Sequence, residues 1–299
     1  MSIQYPKISI VTASYNQGHF IEETIQSVLN QNYPNLEYIV IDGGSTDNSV
    51  EIIKKYQQHL TYWVSEKDKG QANAINKGLQ LCTGEIFNWL NSDDYLEPGA
   101  LFKIAEAFAN EQVQVVAGKV RNFSLTEEEM IPNQLLSAKG LMCWEPGVKF
   151  VQPGVWMKRA FVEKCGGVDE HFHYAFDWDL YIRYLYQFPI VKEIDELLVH
   201  FRLHDQSKTQ SLLTRFADEE RKIIEKIYTL PGYEGIKEVC LYKIQKTNWT
   251  AYLSDLSKSD ASFISKLTSV IGHLNNYKKV SYSRQTAGAI KAFLKGKHI

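Results

Sequence analysis

Two adjacent carboxylates, Asp93 and Asp94, follow the apolar run Ile86–Leu90 and precede Tyr95. Such neighbours repel each other unless a cation or a hydroxyl group lies between them. Hard divalent cations that also bind phosphates prefer carboxylate oxygens. The pair therefore favours a metal or nucleotide site in a surface turn. The alternative is an ordinary turn that caps the helix expected after Pro98.

A second polar turn, Asp42-Gly43-Gly44-Ser45-Thr46-Asp47, also follows an apolar run and precedes a helical pattern, for which Asp47 is a candidate cap. It offers a carboxylate, a flexible glycine backbone and a helix N-terminus, which together suit a phosphorylated ligand. If the two turns lie side by side, they form a nucleotide-binding cleft.

The elements before these turns alternate between strand and helix patterns. In chain order the predicted elements are a strand at Ile8–Val11, a helix through Ile21–Leu29, strands at Leu36–Ile41 and Leu60–Val64, a helix at Gln71–Leu81 and a strand at Ile86–Leu90. This alternation predicts a parallel sheet, and open α/β sheets bind ligands at the carboxyl ends of their strands.

The second half of the chain has a weaker pattern. A helix is predicted from Pro98 and a strand over Val113–Val120, and Asn122–Lys149 is predicted to be an irregular loop region beside the cleft, where a second substrate would enter. A short strand is predicted at Leu197–Phe201. Trp156 is expected in the core, with an apolar platform for a ligand ring as the alternative.

The sequence pattern changes after residue 205, where charged and apolar residues alternate at helical spacing. We therefore expect an α/β domain over residues 1–205 and a helical appendage over 206–299. The appendage ends in a basic stretch with Ile290, Phe293 and Leu294 on one helical face. An ordinary packed helix and a peripheral contact with an anionic membrane are the two interpretations.

Composition narrows the class of protein. The chain has 299 residues, 44% of them hydrophobic, and its 33 Lys and Arg against 35 Asp and Glu give a net charge of -2, so nothing indicates a nucleic-acid partner. The cysteines are far apart and form no CxxC pair, which favours reduced thiols. No run approaches a membrane span and Met1–Lys7 lacks a signal-peptide pattern. A cytoplasmic protein is expected, with any membrane contact at the inner face of the cytoplasmic membrane.

Three segments carry a resemblance: Ser9–Asn16, the Asp42–Ser45 turn and Asn91–Asp94. They resemble the family-2 inverting glycosyltransferases with the GT-A fold, over residues 6–205, and most of all the bacterial enzymes that build O-antigen, capsule and other surface polysaccharides. The resemblance implies an α/β fold with a mostly parallel, Rossmann-like sheet. It also implies a hexosyl- or N-acetylhexosaminyltransferase with Mn²⁺ or Mg²⁺, a nucleotide-sugar donor, UDP-linked by inference, and a glycan or lipid-linked glycan as acceptor.

On the donor side, the resemblance places the base and ribose at Ala13, Ser14, Tyr15 and Asp42, with Tyr15 stacking on the base. Gly43 stands where many members carry a second aspartate. The following residues are expected to face the donor: Lys69, Asn73, Asn91 and Asp93. The alternative for Lys69 is an ordinary solvated lysine in a loop. The alternative for Asn73 is a structural role in lining a helix.

The resemblance makes Asp94 the metal ligand, with Asp93 at the ribose or the metal. Asn91 stands where the family often has aspartate. The closing Arg202-Leu203-His204 segment implies that Arg202 reaches the diphosphate and His204 the metal or a phosphate. Imidazole is a good ligand for divalent metals.

The general base is implied at Asp177, which begins a helix that would face the acceptor. Phe176 replaces the glutamate that usually precedes it. Asp177 as a helix cap is the alternative reading, and Asp179 is the next candidate base.

Two other functions fit the sequence less well. A nucleotidyltransferase normally has a glycine-rich basic signature near its first strand, and none follows Ile8–Val11. A catalytically silent nucleotide-sugar-binding module would have degraded catalytic residues, whereas Asp94, Asp177 and His204 are present.

Overall fold

The computed structural model describes residues 5–204, 213–259 and 261–274, together with residues 290, 291 and 293. The chain divides into two compact units between Phe216 and Ala217 rather than at residue 205. Within the first unit the Phe216 ring packs edge-on against Trp178, with centroids 6.3 Å apart. Arg215 donates a hydrogen bond to the Tyr174 hydroxyl at 2.7 Å. These contacts explain why the first unit extends beyond the predicted boundary.

The strands of the described residues are β1 Ile8–Ser14, β2 Leu36–Asp42, β3 Tyr62–Ser65, β4 Ile86–Trp89, β5 Tyr95–Leu96, β6 Val115–Phe123, β7 Glu128–Pro132, β8 Val155–Lys158 and β9 Val191–Arg202. They form one sheet in the order β3-β2-β1-β4-β8-β6-β9-β5, with β7 paired to β6.

The half of the sheet formed by β1 to β4 is parallel, as the sequence predicts. Every residue of β1 is buried because helices cover the sheet on both faces. The register pairs Ser14 of β1 with Asp42 of β2. The turns that follow these two strands therefore begin at the same edge of the sheet.

The helices of the described residues are α1 Ile21–Leu29, α2 Ser49–Tyr56, α3 Gln71–Leu81, α4 Ala100–Ala107, α5 Ala138–Cys143, α6 Arg159–Lys164, α7 Phe176–Gln187, α8 Leu213–Thr229, α9 Lys237–Lys258 and α10 Phe263–Leu274. Helix α1 buries Ile21, Ile25 and Val28, which confirms its predicted apolar face. Helix α2 begins at Ser49, and Asp47 Oδ1 accepts the Ser49 N–H.

Helix α3 approaches β1 closely. A Cβ atom on Gly78 would lie 2.4 Å from Cγ1 of Val11, far inside contact distance. Glycine at this position lets the helix backbone sit directly on the strand that leads to the site.

The other half of the sheet is mixed. Residues Val115–Ala117 of β6 pair with β8, and Lys119–Phe123 pair with β7. The prediction of an irregular region over Asn122–Lys149 is thus wrong in part, because this segment contains the end of β6, all of β7 and helix α5. The first three residues of β7 are all exposed, so no alternation of apolar and polar residues marked it as a strand.

A buried asparagine joins the two ends of the following loop. The Asn133 side chain donates to the carbonyls of Gly118 and Val151 and accepts the Val151 N–H. An antiparallel bridge between Gln134 and Lys149 lies next to it. Residues 134–149 are therefore a loop with a closed base, and helix α5 lies within it.

The second unit has its own small core. Trp249, Leu253, Val270 and Phe293 are buried together, and Ile290 packs against them. Two residues of the apolar edge predicted for the C-terminus thus lie in this core, whereas Leu294 falls outside the described residues. Peripheral membrane contact stays a prediction.

Within the part of the chain that the structure describes, none of the helices is both long and apolar enough to traverse a bilayer.

Candidate functional site

A cavity of about 1050 Å³ lies where β1, β2 and β4 end. The residues predicted from the sequence that line it are Ala13, Ser14, Tyr15, Asn91, Asp93 and Asp177. The other residues predicted for the site, all of them described by the structure, are not part of the cavity lining. They are Asp42, Lys69, Asn73, Asp94, Arg202 and His204. The structure therefore brings six of the residues predicted for the site, Asp177 among them, to one cavity.

The end of β1 supplies the first wall. Ser14 is buried, and its Oγ has no hydrogen-bond partner among the described residues, whereas Tyr15 is exposed. Asn16 has a left-handed backbone, with φ of 51°. Its N–H donates to Ser45 Oγ, and its Oδ1 accepts the Thr46 N–H, each at 2.8 Å. These bonds hold the turns after β1 and β2 side by side.

Asp42 lies inside the second turn. Its carboxylate accepts the N–H groups of Gly44 and Ser45 and the hydroxyls of Ser45 and Ser65. The side chain is fully buried. Asp42 thus shapes the turn, and the carboxylate that lines the cavity at this point belongs to another residue.

That residue is Asp68, whose Oδ2 would be 2.8 Å from a Cβ atom placed on Gly43. Asp68 accepts the Gly70 N–H at 2.7 Å and lines the cavity. The absence of a side chain at Gly43 makes room for it. Two features of the sequence could have predicted this role for Asp68. Gly43 stands where the family often has an aspartate, and Asp68 directly precedes Lys69.

The lysine in the cavity lining is Lys67, whereas Lys69 is exposed outside the lining. Asn73 donates to Glu170 Oε2, and Asn76 donates to Glu170 Oε1, each at 2.9 Å. Asn73 therefore joins α3 to the segment before α7, which favours the helix-lining alternative.

Of the two aspartates predicted at the metal site, Asp93 faces the cavity and Asp94 is buried. Asp93 lines the cavity, and its Oδ2 lies 3.0 Å from Nε2 of His204. The structure thus brings His204 to Asp93 rather than to Asp94. In the described residues, no three His, Cys, Asp or Glu side chains form a complete metal cage.

Asp94 is 1% exposed and is not the surface-turn carboxylate that the sequence led us to expect. Its Oδ1 accepts the Arg202 N–H at 3.0 Å, and its Oδ2 accepts from Asn91 Nδ2 at 3.1 Å. Burial, and after it the charge of Asp93, raises the pKa of Asp94 well above its usual value.

Arg202 packs its guanidinium among the rings of Phe20, Tyr95 and Phe123. It also donates to the Asp93 carbonyl at 3.1 Å and pairs with Glu23. Its contact with a diphosphate stays a prediction.

The two acids at the start of α7 have different surroundings. Asp177 is the second residue of the helix, lines the cavity and accepts its neighbour's N–H, from Trp178, at 2.7 Å. Asp179 is fully buried and pairs with Arg183 at 2.6 Å. Arg183 also donates to the Gly167 carbonyl. Asp179 is therefore held in a buried ion pair, and of the two acids Asp177 is the one that lines the cavity.

Further polar and aromatic groups in the lining were not predicted. Gln17 and Asn122 each have a buried side-chain oxygen without a hydrogen-bond partner among the described residues. Trp144 also lines the cavity, whereas Trp156 is buried in the core. For Trp144 the available signal was a large aromatic residue in a loop rich in glycine and polar residues.

Several known proteins are similar to this chain in sequence or in fold. Chondroitin synthase of Escherichia coli is 26% identical over 84% of this chain and 37% of its own length. The structure of S. aureus TarS 1-349 in complex with UDP-GlcNAc superposes with a TM-score of 0.65, at 16% identity, over 98% of this chain and 89% of that one. The mannosyltransferase PcManGT from Pyrobaculum calidifontis, in complex with GDP-Man and Mn²⁺, has a TM-score of 0.57 at 17% identity over 98% and 86%.

The likeness to the solved structures shows the fold, a GT-A-like α/β sheet followed by helices, as predicted. The family model described as glycosyl transferase family 2 matches residues 9–176, more than half of the chain. That match contains the ends of β1, β2 and β4 and most of the residues that line the cavity, and it ends one residue before Asp177. This chain therefore belongs to glycosyl transferase family 2.

Proposed function

We propose that the protein transfers a hexosyl or N-acetylhexosaminyl group from a UDP-linked donor to a hydroxyl of a glycan or lipid-linked glycan, with inversion at the anomeric carbon. The observation that carries the proposal is that Asp177 and Asp93 line the same cavity, which also receives the turns after β1 and β2. A base for the acceptor and a site for the diphosphate thus lie on one continuous surface.

The donor nucleoside is proposed to occupy the wall formed by Ala13, Ser14, Tyr15 and Asp68. The Ser14 hydroxyl, which has no hydrogen-bond partner in the part of the chain that the structure describes, could bond to a ribose or base, and the exposed Tyr15 ring could stack on the base. Uridine is proposed because TarS was solved with UDP-GlcNAc. PcManGT was solved with GDP-Man, so guanosine is the competing base in the test below.

A divalent metal fits the residues at Asp93. A carboxylate and an imidazole lie 3.0 Å apart beside the cavity, and Mg²⁺ sites often use one or two protein ligands plus substrate phosphates. Asp93 and His204 would hold Mn²⁺ or Mg²⁺. Asp94 would keep the two residues in place through its hydrogen bond to the Arg202 backbone. When bound, the ion would supply positive charge to the departing diphosphate.

The chemistry is a single displacement. Asp177 accepts the proton of the acceptor hydroxyl, and the hydroxyl oxygen forms a bond to the anomeric carbon. The bond from that carbon to the diphosphate oxygen breaks on the opposite face. The products are the extended glycan and a nucleoside diphosphate.

We infer that the acceptor belongs to a bacterial surface polysaccharide, since chondroitin synthase is among the proteins with the matching sequence. Contact of the C-terminal region with an anionic membrane would suit a lipid-linked acceptor. Sedimentation with anionic vesicles at low and high salt tests this contact, since electrostatic attachment weakens as salt rises.

The decisive experiment is to incubate the protein with UDP- and GDP-sugars, Mn²⁺ or Mg²⁺ and a panel of oligosaccharide acceptors, and to measure nucleoside diphosphate and product. Turnover with a UDP-sugar that yields UDP and an inverted glycoside supports the proposal. Release of pyrophosphate in a parallel incubation with UTP or GTP and a sugar 1-phosphate would instead indicate a nucleotidyltransferase. Tight UDP binding without turnover under all conditions would indicate a silent binding module.

A further inference from the structure

Trp144 occupies a position where the backbone favours glycine. It terminates helix α5 with a left-handed conformation, φ 48° and ψ 54°. Glycine is the usual residue at such helix ends because it has no Cβ to strain the conformation. A tryptophan here works against the local preference, which indicates that its side chain has a use.

The indole ring of Trp144 is presented to the cavity. Its side chain is 45% exposed and is part of the cavity lining. The ring lies nearly parallel to that of Trp178, with an interplanar angle of 11° and centroids 6.2 Å apart. Trp178 is buried, and its Nε1 donates to the Leu141 carbonyl in α5. Trp178 thus fixes the orientation of an otherwise open aromatic face.

The same tryptophan pair is directly connected to the proposed base. The Trp178 N–H donates to Asp177 Oδ1 at 2.7 Å, so one peptide unit links the indole stack to the carboxylate. Asn122 lines the cavity as well, and its side-chain oxygen has no hydrogen-bond partner among the described residues. An apolar face and a hydrogen-bonding side chain therefore line the same cavity as Asp177.

We propose that Trp144 is the stacking platform for the pyranose ring of the acceptor, which it orients so that one hydroxyl meets Asp177. A pyranose has an apolar C–H face and a rim of hydroxyls, and this matches an indole face beside a carboxylate and an amide. An acyl chain would leave the Asn122 oxygen without a partner. The proposal deepens the proposed function and rests on it.

The test uses two substitutions of Trp144 and one control. Trp144→Gly removes the ring and suits the left-handed backbone, so the fold is retained; Trp144→Phe keeps an aromatic face. Tyr62→Ala removes an aromatic side chain of similar exposure, 43%, from strand β3 outside the cavity lining. Binding of chitotriose, cellotriose and maltotriose is measured by saturation-transfer NMR in the presence of UDP and Mg²⁺. Binding of UDP is measured by calorimetry.

We expect at least one trisaccharide to bind the wild-type protein, and its affinity to fall about 10-fold or more in Trp144→Gly, the loss of one aromatic contact. Trp144→Phe should recover most of this loss. Affinity for UDP should stay within about twofold in every variant, because the nucleotide wall does not include Trp144. Tyr62→Ala should bind sugar and UDP as the wild type does.

Unchanged trisaccharide affinity in Trp144→Gly would overturn the proposal, as would UDP binding by the wild type without binding of any trisaccharide. In both cases the proposed glycosyl transfer would stand. Failure of the wild type to bind UDP would remove the proposed function and this inference together.

Discussion

The Asp94 carboxylate accepts a hydrogen bond from the Arg202 backbone N–H at 3.0 Å. This bond joins the turn after β4 to the end of β9, which are far apart in the sequence. Two residues beyond Arg202, His204 comes to lie beside Asp93. The buried aspartate thus holds together the two elements that carry the proposed metal ligands.

Substitution of the two aspartates should separate their roles. Asp93→Asn is expected to lower affinity for Mn²⁺ and transfer by about 100-fold with little change in Tm. Asp94→Ala leaves a buried N–H without an acceptor and should cost roughly 1–3 kcal/mol of unfolding free energy. Calorimetric Mn²⁺ titration in the presence of UDP, together with thermal melts, measures both effects. Loss of Mn²⁺ binding in Asp94→Ala with normal binding in Asp93→Asn would instead assign the metal to Asp94.

The first turn of α7 gives a matched pair of acids. Asp177→Asn keeps the shape of the side chain but removes the base, so transfer should fall about 100-fold or more while donor binding and Tm are retained. Asp179→Asn leaves the buried Arg183 charge without its counter-ion and should cost roughly 3–5 kcal/mol of stability. Kinetics and chemical denaturation of both variants decide the assignment. A stable, inactive Asp179→Asn beside an active Asp177→Asn would reverse it.

Glu37 makes the stability of the sheet depend on pH. Its burial favours the neutral acid, but hydrogen bonds from Lys7, Ser9 and Thr83 outweigh burial and lower the pKa from 4.5 to about 2. A lowered pKa stabilises the fold above pH 4.5, and this contribution disappears as the pH falls from 4.5 towards 2.

We therefore expect Glu37→Gln to lose about 3 kcal/mol relative to the wild type at pH 7, and much less at pH 2.5. Urea denaturation at both pH values measures the difference. Glu51→Gln, at an exposed position of α2, is the control and should show little change at either pH. A pH-independent loss in Glu37→Gln would contradict the assignment.

Two helical glycines differ in the space around them. Gly78→Ala would place a Cβ 2.4 Å from Val11 and should cost about 1–3 kcal/mol, since α3 must move away from β1. Gly272 in α10 has open space, so Gly272→Ala should instead stabilise its helix by up to about 1 kcal/mol. Differential scanning calorimetry of the two variants is the measurement. Equal, small effects would mean that α3 is less tightly packed than the structure indicates.

The parallel half of the fold was predictable because its strands are continuous apolar runs separated by helices of clear period. The turns after β1 and β2 followed from that assignment, since parallel strands end at one edge. The Asn122–Lys149 segment was not predictable in the same way, because β7 is exposed and α5 spans little more than one turn. Such elements depend on tertiary pairing rather than on local pattern.

The sequence also could not predict which of two nearby polar residues faces the cavity. Asp93 and Asp94 lie in one turn yet face the cavity and the interior, and Lys67 and Lys69 lie in one loop with only Lys67 in the cavity lining. Residue type and spacing cannot give the direction of a side chain in irregular backbone. Asp177 and Asp179 are separable only once the Arg183 partner is seen.

The closed base formed by Asn133 separates two kinds of change in this protein. Asn133, just before the 134–149 loop, donates to Gly118 of β6 and accepts the Val151 N–H just after the loop, so the two ends of the loop are held together beside the sheet. Within the loop, α5 contacts helix α7 through the Leu141 carbonyl and Trp144, whereas the turns after β1 and β2 lie outside the loop. Substitutions at the remaining loop positions would therefore reshape the surface beside the proposed acceptor platform while the residues proposed for the donor keep their places.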